Sequence, residues 1–306
     1  MAINKATLLA LKALSYPDIE IKETYKAQRM LLNIKSASVF TPFYKLWDRQ
    51  VLSNGREVSV RIYHTTNDKR KNLLIFFHGG GWVTENVDTY NNVCRNLAKH
   101  IGCRVVSVEY SLAPEHPFPA GLEDCYAVVK DIMLYPELFD IKREKIVLIG
   151  DSAGGNLAAA VSLMARDRQE FSVAKQILIY PSTNNNHTVS SPFKSIYDNG
   201  TDYLLTSKRI CEYIDLYKSK DEDLKNPYFS PLIADDLSNQ PKTLIITAEY
   251  DPLRDEGEAY GIALEKAGNN VRVYRMKNAL HGFFSLDYRF IQVKRTYELI
   301  NLFLNN

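Results

Sequence analysis

The sequence predicts an α/β protein with a mainly parallel central sheet flanked by helices, and three observations carry that prediction. From Leu73 onward, apolar runs of four to six residues at 73–77, 104–109, 146–149, 176–180, 243–248 and 271–276 alternate with helical patterns. Runs of that length fit buried strands, and their alternation with helices calls for crossover connections between parallel strands. Two glycine-rich turns, His78-Gly79-Gly80-Gly81-Trp82 and Gly150-Asp151-Ser152-Ala153-Gly154, each follow directly on such a run. At 306 residues, 45% apolar and 24% charged, the chain has the size and composition of one large α/β domain.

The elements follow in order. Residues 1 to about 45 read as helical: Ala6, Leu9, Ala10 and Ala13 share a face, and Tyr25, Met30, Leu31 and Ile34 suggest a second amphipathic piece. Strand patterns begin near Trp47 and continue through Val58–Tyr63, with Asn54-Gly55 as the hairpin turn between them. The six apolar runs then alternate with helices. One stretch breaks the rhythm, from Pro181 to about Asn226. It holds the polar run Ser182-Thr183-Asn184-Asn185-Asn186-His187 and then a helical pattern in Ile210, Tyr213, Ile214 and Tyr217. An insertion of that length is usually functional. No internal repeat or low-complexity linker is evident.

Chemistry concentrates at the ends of the strands. The run Ile146–Ile149 turns through Gly150-Asp151-Ser152-Ala153-Gly154 into Asn156-Leu157-Ala158-Ala159-Ala160-Val161, a helix by pattern. A strand turning sharply into a helix is the context that makes Gly-x-Ser-x-Gly a nucleophile elbow. Small residues leave room for the strained turn, and the helix start aims free N–H groups at an anion forming there. By chance the pentapeptide occurs in about one chain in ten of this length, so it needs support. His-Gly-Gly-Gly supplies it, since its chance frequency is on the order of one chain in several hundred. Successive glycines let the backbone present N–H groups to a ligand with no Cβ in the way.

An acid and a base follow in order. After the run 243–248 comes Glu249-Tyr250-Asp251-Pro252-Leu253-Arg254-Asp255-Glu256-Gly257, and after 271–276 comes His281-Gly282-Phe283. Ser152, Asp251 and His281 each lie just beyond a strand's C-terminal end, where sites collect on open parallel sheets. Their sequence order differs from that of both serine-protease types. Asp255 and Glu256 compete with Asp251, but fall within the next helix, where with Arg254 they suit surface or supporting ion pairs. Of the other histidines, His78 is expected to brace the glycine loop, and His187 to be a solvated loop residue or to line the pocket. Among the six histidines only His281 follows the last strand pattern, which sets it apart from His64, His100 and His116.

With these motifs the chain resembles the hormone-sensitive-lipase-like branch of the α/β-hydrolases, which includes bacterial carboxylesterases. The matching residues are HGGGW at 78–82, YSLAPEHPFPA at 110–120, GDSAGGN at 150–156, SPLIA at 230–234, DPLRDEG at 251–257 and HGF at 281–283. The resemblance implies the α/β-hydrolase fold with a helical cap. The cap would be built from residues 1–45 and an insertion at 183–226, over a core of residues 46–182 and 227–306. It also implies ester hydrolysis by acyl transfer to Ser152, with His281 as base, Asp251 orienting it, and Gly79, Gly80, Gly81 and Ala153 as oxyanion donors. Trp82 and Phe283, with Phe284, flank the motifs and suit either an apolar substrate wall or ordinary core packing. Ser111 departs from the pattern, where the family carries arginine, and this reads as a lost structural ion pair.

The same residues admit an amidase, formamidase or deacetylase. A non-catalytic receptor on a hydrolase scaffold is disfavoured because all three triad positions are filled. No metal or organic cofactor is needed. A net charge of +2 without a basic stripe argues against nucleic acid or an anionic membrane as partner. Cys94, Cys103, Cys125 and Cys211 lack ligand spacing and read as mostly buried thiols of a reducing compartment. The apolar stretch Leu8–Leu11 ends at Lys12, too short for a signal peptide or stable membrane insertion, so the cytoplasm is the expected location. The expected partner is a small-molecule ester; a homo-oligomer stays open.

Overall fold

The computed structural model describes residues 20–37, 46–53, 55–64 and 72–305. Its frame is an eight-stranded sheet, formed by β1 (Leu46–Ser53), β2 (Arg56–Tyr63), β3 (Leu73–Phe77), β4 (Arg104–Val108), β5 (Ile146–Asp151), β6 (Lys175–Ile179), β7 (Lys242–Tyr250) and β8 (Val271–Leu280). Across the sheet the order is β1-β2-β4-β3-β5-β6-β7-β8. The β1–β2 and β2–β4 pairings are antiparallel and all others parallel.

The apolar runs that form β3 to β7 become strands because both sheet faces are covered there, whereas β8, the run at 271–276, lies at the sheet edge and is largely exposed. Leu73, Ile75 and Phe77 of β3 join one core with Ile146 and Leu148 of β5, while Leu74, Phe76, Val147 and Ile149 join the other. Two-sided burial is why these strands read as continuous apolar runs rather than alternating ones. Helices α3 (Ala120–Leu134), α4 (Ala153–Arg168) and α7 (Arg254–Lys266) feed the first core; α2 (Asn91–Leu97) and α8 (Ile291–Asn305) feed the second. Every residue of α4 from Ala153 to Ala165 is buried, and its three alanines at 158–160 allow that close embrace. β1 and β2 meet at Ser53 and Arg56, with Gly55 at φ +78°; Asn54 of the expected turn lies outside the described residues.

Among the described residues the remaining α-helices are α1 (Ile21–Ala37), α5 (Lys194–Asn199) and α6 (Ser207–Tyr217). Thr206 caps α6, its hydroxyl accepting the Arg209 N–H at 3.1 Å, and Ile210, Ile214 and Tyr217 are its buried stripe. α1 packs on α6, with the Ile21 N–H donating to Glu212 at 2.9 Å and Lys22 pairing with Asp215. The expected helix around Ala6–Ala13 lies outside the described residues. Within α1 the inward side carries Ile21 and Tyr25, whereas Met30, Leu31 and Ile34 are exposed. The reason is Arg29, which turns inward to hydrogen-bond the Val83 and Ala113 carbonyls at 2.7 Å each.

The segment around Ser111 also differs from expectation. The Ser111 N–H donates to the buried carboxylate of Asp124 at 3.0 Å, and Arg56 from β2 approaches its other oxygen at 3.3 Å. The buried acid therefore has a cation beside it despite the serine at 111.

Candidate active site

Ser152 sits between β5 and α4 with φ +55° and ψ −119°, a backbone state that ordinary residues avoid. Two contacts show why its neighbours are glycine. A Cβ at Gly150 would lie 2.2 Å from the Gly154 carbonyl oxygen, and one at Gly154 would lie 2.0 Å from the Phe77 carbonyl oxygen. The second contact joins the turn to β3, whose next residues are the glycine loop. The Ser152 N–H donates to Ile179 of β6 at 2.9 Å, and the Asn156 N–H donates to the Ser152 carbonyl at 3.0 Å. Asn156 adds side-chain hydrogen bonds to the Ser182 and Phe229 carbonyls at 2.9 Å each.

Three side chains from separate strand ends meet there. His281, just after β8, brings Nε2 to 2.9 Å from Ser152 Oγ and Nδ1 to 2.7 Å from Asp251 Oδ2. Asp251, just after β7, is fully buried, and its Oδ1 accepts the Leu253 N–H at 2.9 Å. Asn199 of α5 donates to the Asp251 carbonyl at 3.2 Å, tying the acid's backbone to the insertion. Such a line lets a hydroxyl give its proton to imidazole while the carboxylate holds the ring's tautomer.

The glycine loop leaves β3 beside β5. Gly80, Gly81 and Trp82 all have positive φ, at +102°, +61° and +59°. His78 is wholly buried and donates from Nδ1 to the Gly79 carbonyl at 2.8 Å; its ring stacks on Tyr110, whose hydroxyl donates to the His78 carbonyl at 2.7 Å. Burial pushes His78 down to about 4, so the ring is neutral near pH 7. It braces the loop, as the sequence implied. Above the loop lies α6: a Cβ at Gly81 would fall 2.5 Å from the Tyr213 ring.

A cavity of about 310 Å³ opens at these residues, bordered by Gly80, Gly81, Trp82, Ser152, Ala153 and His281, with Leu205, Ile210, Tyr213 and Leu253 as apolar wall. Trp82 borders it. Phe283 does not; it is buried with its ring 5.3 Å from that of Tyr180. Gly79 also lies off the cavity lining. A larger groove of about 670 Å³ runs beside β1 and α3, away from the triad, among paired charges such as Glu123–Arg168 and Lys130–Glu170.

The competing residues have other work. Asp255 accepts the Ser195 N–H at 2.7 Å and pairs with Arg254. Glu256, expected on a surface or in a supporting ion pair, is fully buried with His187 2.6 Å away, and accepts the Thr183 and Asn184 N–H groups at 2.7 and 3.2 Å. His187 is thus neither solvated nor part of the cavity lining. Together the pair staples the start of the insertion to α7.

Two acids beside the site have surroundings that the sequence does not show. Asp151 lines the cavity and is buried; its Oδ2 accepts the Tyr90 and Tyr180 hydroxyls at 2.9 and 3.2 Å. Burial pushes its carboxyl up to about 6 against the pull of those donors and of His281. Glu85 also lines the cavity, at φ +67°. Asp151 lies within the GDSAGGN motif, but neither the motif nor the residues after the glycine loop display these contacts.

Residues 74–285 match the family model described as the alpha/beta hydrolase fold. An arylesterase from Saccharolobus solfataricus is 36% identical over 237 residues, covering 77% of this chain and 76% of that protein. An ethyl acetate hydrolase from Pseudomonas putida is 31% identical over 76% of this chain and 73% of its own length. Among solved structures, a hyperthermophilic esterase from the archaeon Pyrobaculum calidifontis superposes with a TM-score of 0.86 at 36% identity, covering 99% of this chain and 98% of that one. The chain belongs to the α/β-hydrolase fold family. Within it, the chain is an ester hydrolase of the carboxylesterase and lipase line, which agrees with the motifs at 78–82 and 150–156.

Proposed function

We propose that the protein hydrolyses small to medium acyl esters through a covalent acyl-enzyme on Ser152. His281 takes the serine proton as Oγ attacks the ester carbonyl, then returns it to the departing alcohol. Asp251 keeps the imidazole in the tautomer whose Nε2 accepts, and stabilises the imidazolium. Water, activated by the same histidine, releases the acid. The oxyanion is held by N–H groups of Gly80 and Gly81 and by Ala153 at the start of α4, each donor contributing about 3 kcal/mol in the transition state. Gly80, Gly81 and Ala153 border the cavity and Gly79 does not, which favours this set over one including Gly79.

The observation that carries the reading is the hydrogen-bonded line from Ser152 Oγ through His281 to Asp251, at 2.9 and 2.7 Å, beside a 310 Å³ cavity. That volume is at the small end of ligand pockets and suits a short ester better than a long acyl chain. Of the two segments expected as a cap, 1–45 and 183–226, the described helices α1 and α6 would cover the site; the contact of α1 with α6 and the closeness of Tyr213 to Gly81 support this. Buried cysteines outside any disulfide at Cys94, Cys103 and Cys125 fit a reducing compartment such as the cytoplasm.

Hydrolysis of p-nitrophenyl esters from C2 to C16 tests the reading. Turnover peaking at short or medium chains is expected, with kcat lowered by about six orders of magnitude in Ser152→Ala. A Ser152→Ala enzyme that kept most of its activity would rule out this nucleophile.

A further inference from the structure

Three hydrogen bonds converge on one carbonyl of the glycine loop. The Gly80 oxygen accepts the Val83 and Thr84 N–H groups at 3.1 and 2.9 Å, and the Thr84 hydroxyl at 3.0 Å. The first two close a tight turn in which Gly80, Gly81 and Trp82 all keep positive φ. The third comes from a side chain. Thr84 is buried, so its hydroxyl serves the loop rather than solvent.

The Gly80 carbonyl and the Gly81 N–H belong to one planar peptide unit and point in opposite directions. Whatever fixes the carbonyl therefore aims the N–H. Among the described residues neither the Gly80 nor the Gly81 N–H has a backbone acceptor, and both glycines border the cavity beside Ser152. An unused donor so placed suits a developing oxyanion, and its effect depends on being held in position before the reaction begins. A loosened peptide would weaken binding of the transition state, where the charge develops, more than binding of the neutral ester.

A further contact connects this peptide to the insertion. The Tyr213 ring of α6 lies 2.5 Å from where a Cβ on Gly81 would stand, and its phenol reaches both Thr84 and Arg209. Arg209 can only donate, which leaves the phenol's own proton for the Thr84 oxygen. Thr84 thus accepts from α6 while donating to Gly80. Hydrogen bonds in such a chain polarise one another, and this chain ends at an N–H on the cavity wall.

We propose that Thr84 is a positioning residue of the oxyanion hole: its hydroxyl, linked to Tyr213 of α6, fixes the Gly80–Gly81 peptide so that the Gly81 N–H meets the oxyanion. The inference rests on the triad reading above. In consequence the seating of α6 bears on the chemical step and not on substrate binding alone.

Thr84→Val keeps the size and branching of the side chain and removes the hydroxyl. Its kcat on p-nitrophenyl acetate is expected to fall about ten-fold with KM little changed. Inactivation by diethyl p-nitrophenyl phosphate, whose phosphoryl oxygen takes the oxyanion's place, should slow by a similar factor. Thr84→Ser returns the hydroxyl and should recover most of both rates. Tyr213→Phe keeps the ring over Gly81; it is expected to lower kcat about three-fold in the wild-type background and not at all in Thr84→Val, as linked groups require. A merely structural role would lower the melting temperature or raise KM, and the hydroxyl of Thr84→Ser would bring no recovery of the inactivation rate. Wild-type rates in Thr84→Val, no gain from Thr84→Ser, or an equal Tyr213→Phe effect in both backgrounds would each overturn the proposal. Ser152→Ala, assayed alongside, separates the two readings. Activity that survives there defeats the triad and the positioning role with it, whereas activity lost there but kept in Thr84→Val defeats the positioning role alone.

Discussion

The serine turn is held by the absence of side chains. Gly154 lies so close to the Phe77 carbonyl that a methyl group would sit 2.0 Å from its oxygen, and neither partner is a flexible side chain that can step aside. Gly154→Ala is therefore expected to cost more than about 3 kcal/mol and to yield little folded protein, a loss of the overpacking kind. Recovery of wild-type melting temperature in that variant would contradict the geometry. Such glycines are legible in sequence because only their type permits the turn, and the same holds for Ser152, Asp251 and His281, marked by strand ends and motif spacing. The surroundings of Glu85 and Asp151 are not legible in that way. They come from a backbone angle and from partners such as Tyr180, 29 residues along the chain from Asp151, neither of which leaves a local pattern.

At the scale of elements, α1 shows the limit of reading periodicity. The strand at 73–77 was plain because burial on both faces demands apolar residues throughout, but a helix face can be occupied by a cation satisfying carbonyls. Arg29 does this, bonding Val83 and Ala113 while forking onto Glu115 at 3.0 Å from each nitrogen. Ala113 in turn donates to the Trp82 carbonyl at 2.9 Å, so one guanidinium connects α1 to the segment leaving the glycine loop. The Glu115 pair is partly exposed and contributes little; the carbonyl bonds, assisted by charge, carry more. Arg29→Ala is expected to remove about 2 kcal/mol of local stability, seen as faster amide exchange in α1 and at 82–84, with KM raised more than kcat is lowered. Lysine cannot reach both carbonyls and should restore only part. Unchanged exchange would show that α1 is held by its other contacts.

Across the whole molecule, two buried groups pull stability in opposite directions with pH. His78 falls from 6.5 to about 4 on burial. Between those values the unfolded chain binds the extra proton, so stability drops as the medium is acidified. Asp151 rises from 3.8 to about 6. Over that range the folded state holds the proton, so its contribution is present at low pH and lost as pH rises through 6. The windows overlap and largely offset. Asp151→Asn removes one arm, and its melting temperature should fall more steeply than the wild type's between pH 7 and pH 4. Parallel curves would show that the two groups do not titrate as their burial implies. A mainly parallel sheet could be foreseen from the alternation of runs and helices. The order β2-β4-β3-β5 could not, because strand adjacency is decided by connections that the apolar pattern does not record.

The hydrogen bond between Ser152 and His281 spans 129 positions of chain, and that distance sets a timetable. At a synthesis rate of about 5–20 residues per second, the proposed nucleophile precedes its base by on the order of ten seconds. Through that interval the elbow has nothing to take its proton, and the hydroxyl is as unreactive as that of any surface serine. Hydrolytic competence is thus acquired late, when the final strand has paired and delivered the imidazole. On the proposed mechanism, the place of the histidine in the order of translation is by itself enough to keep the nascent polypeptide from attacking esters.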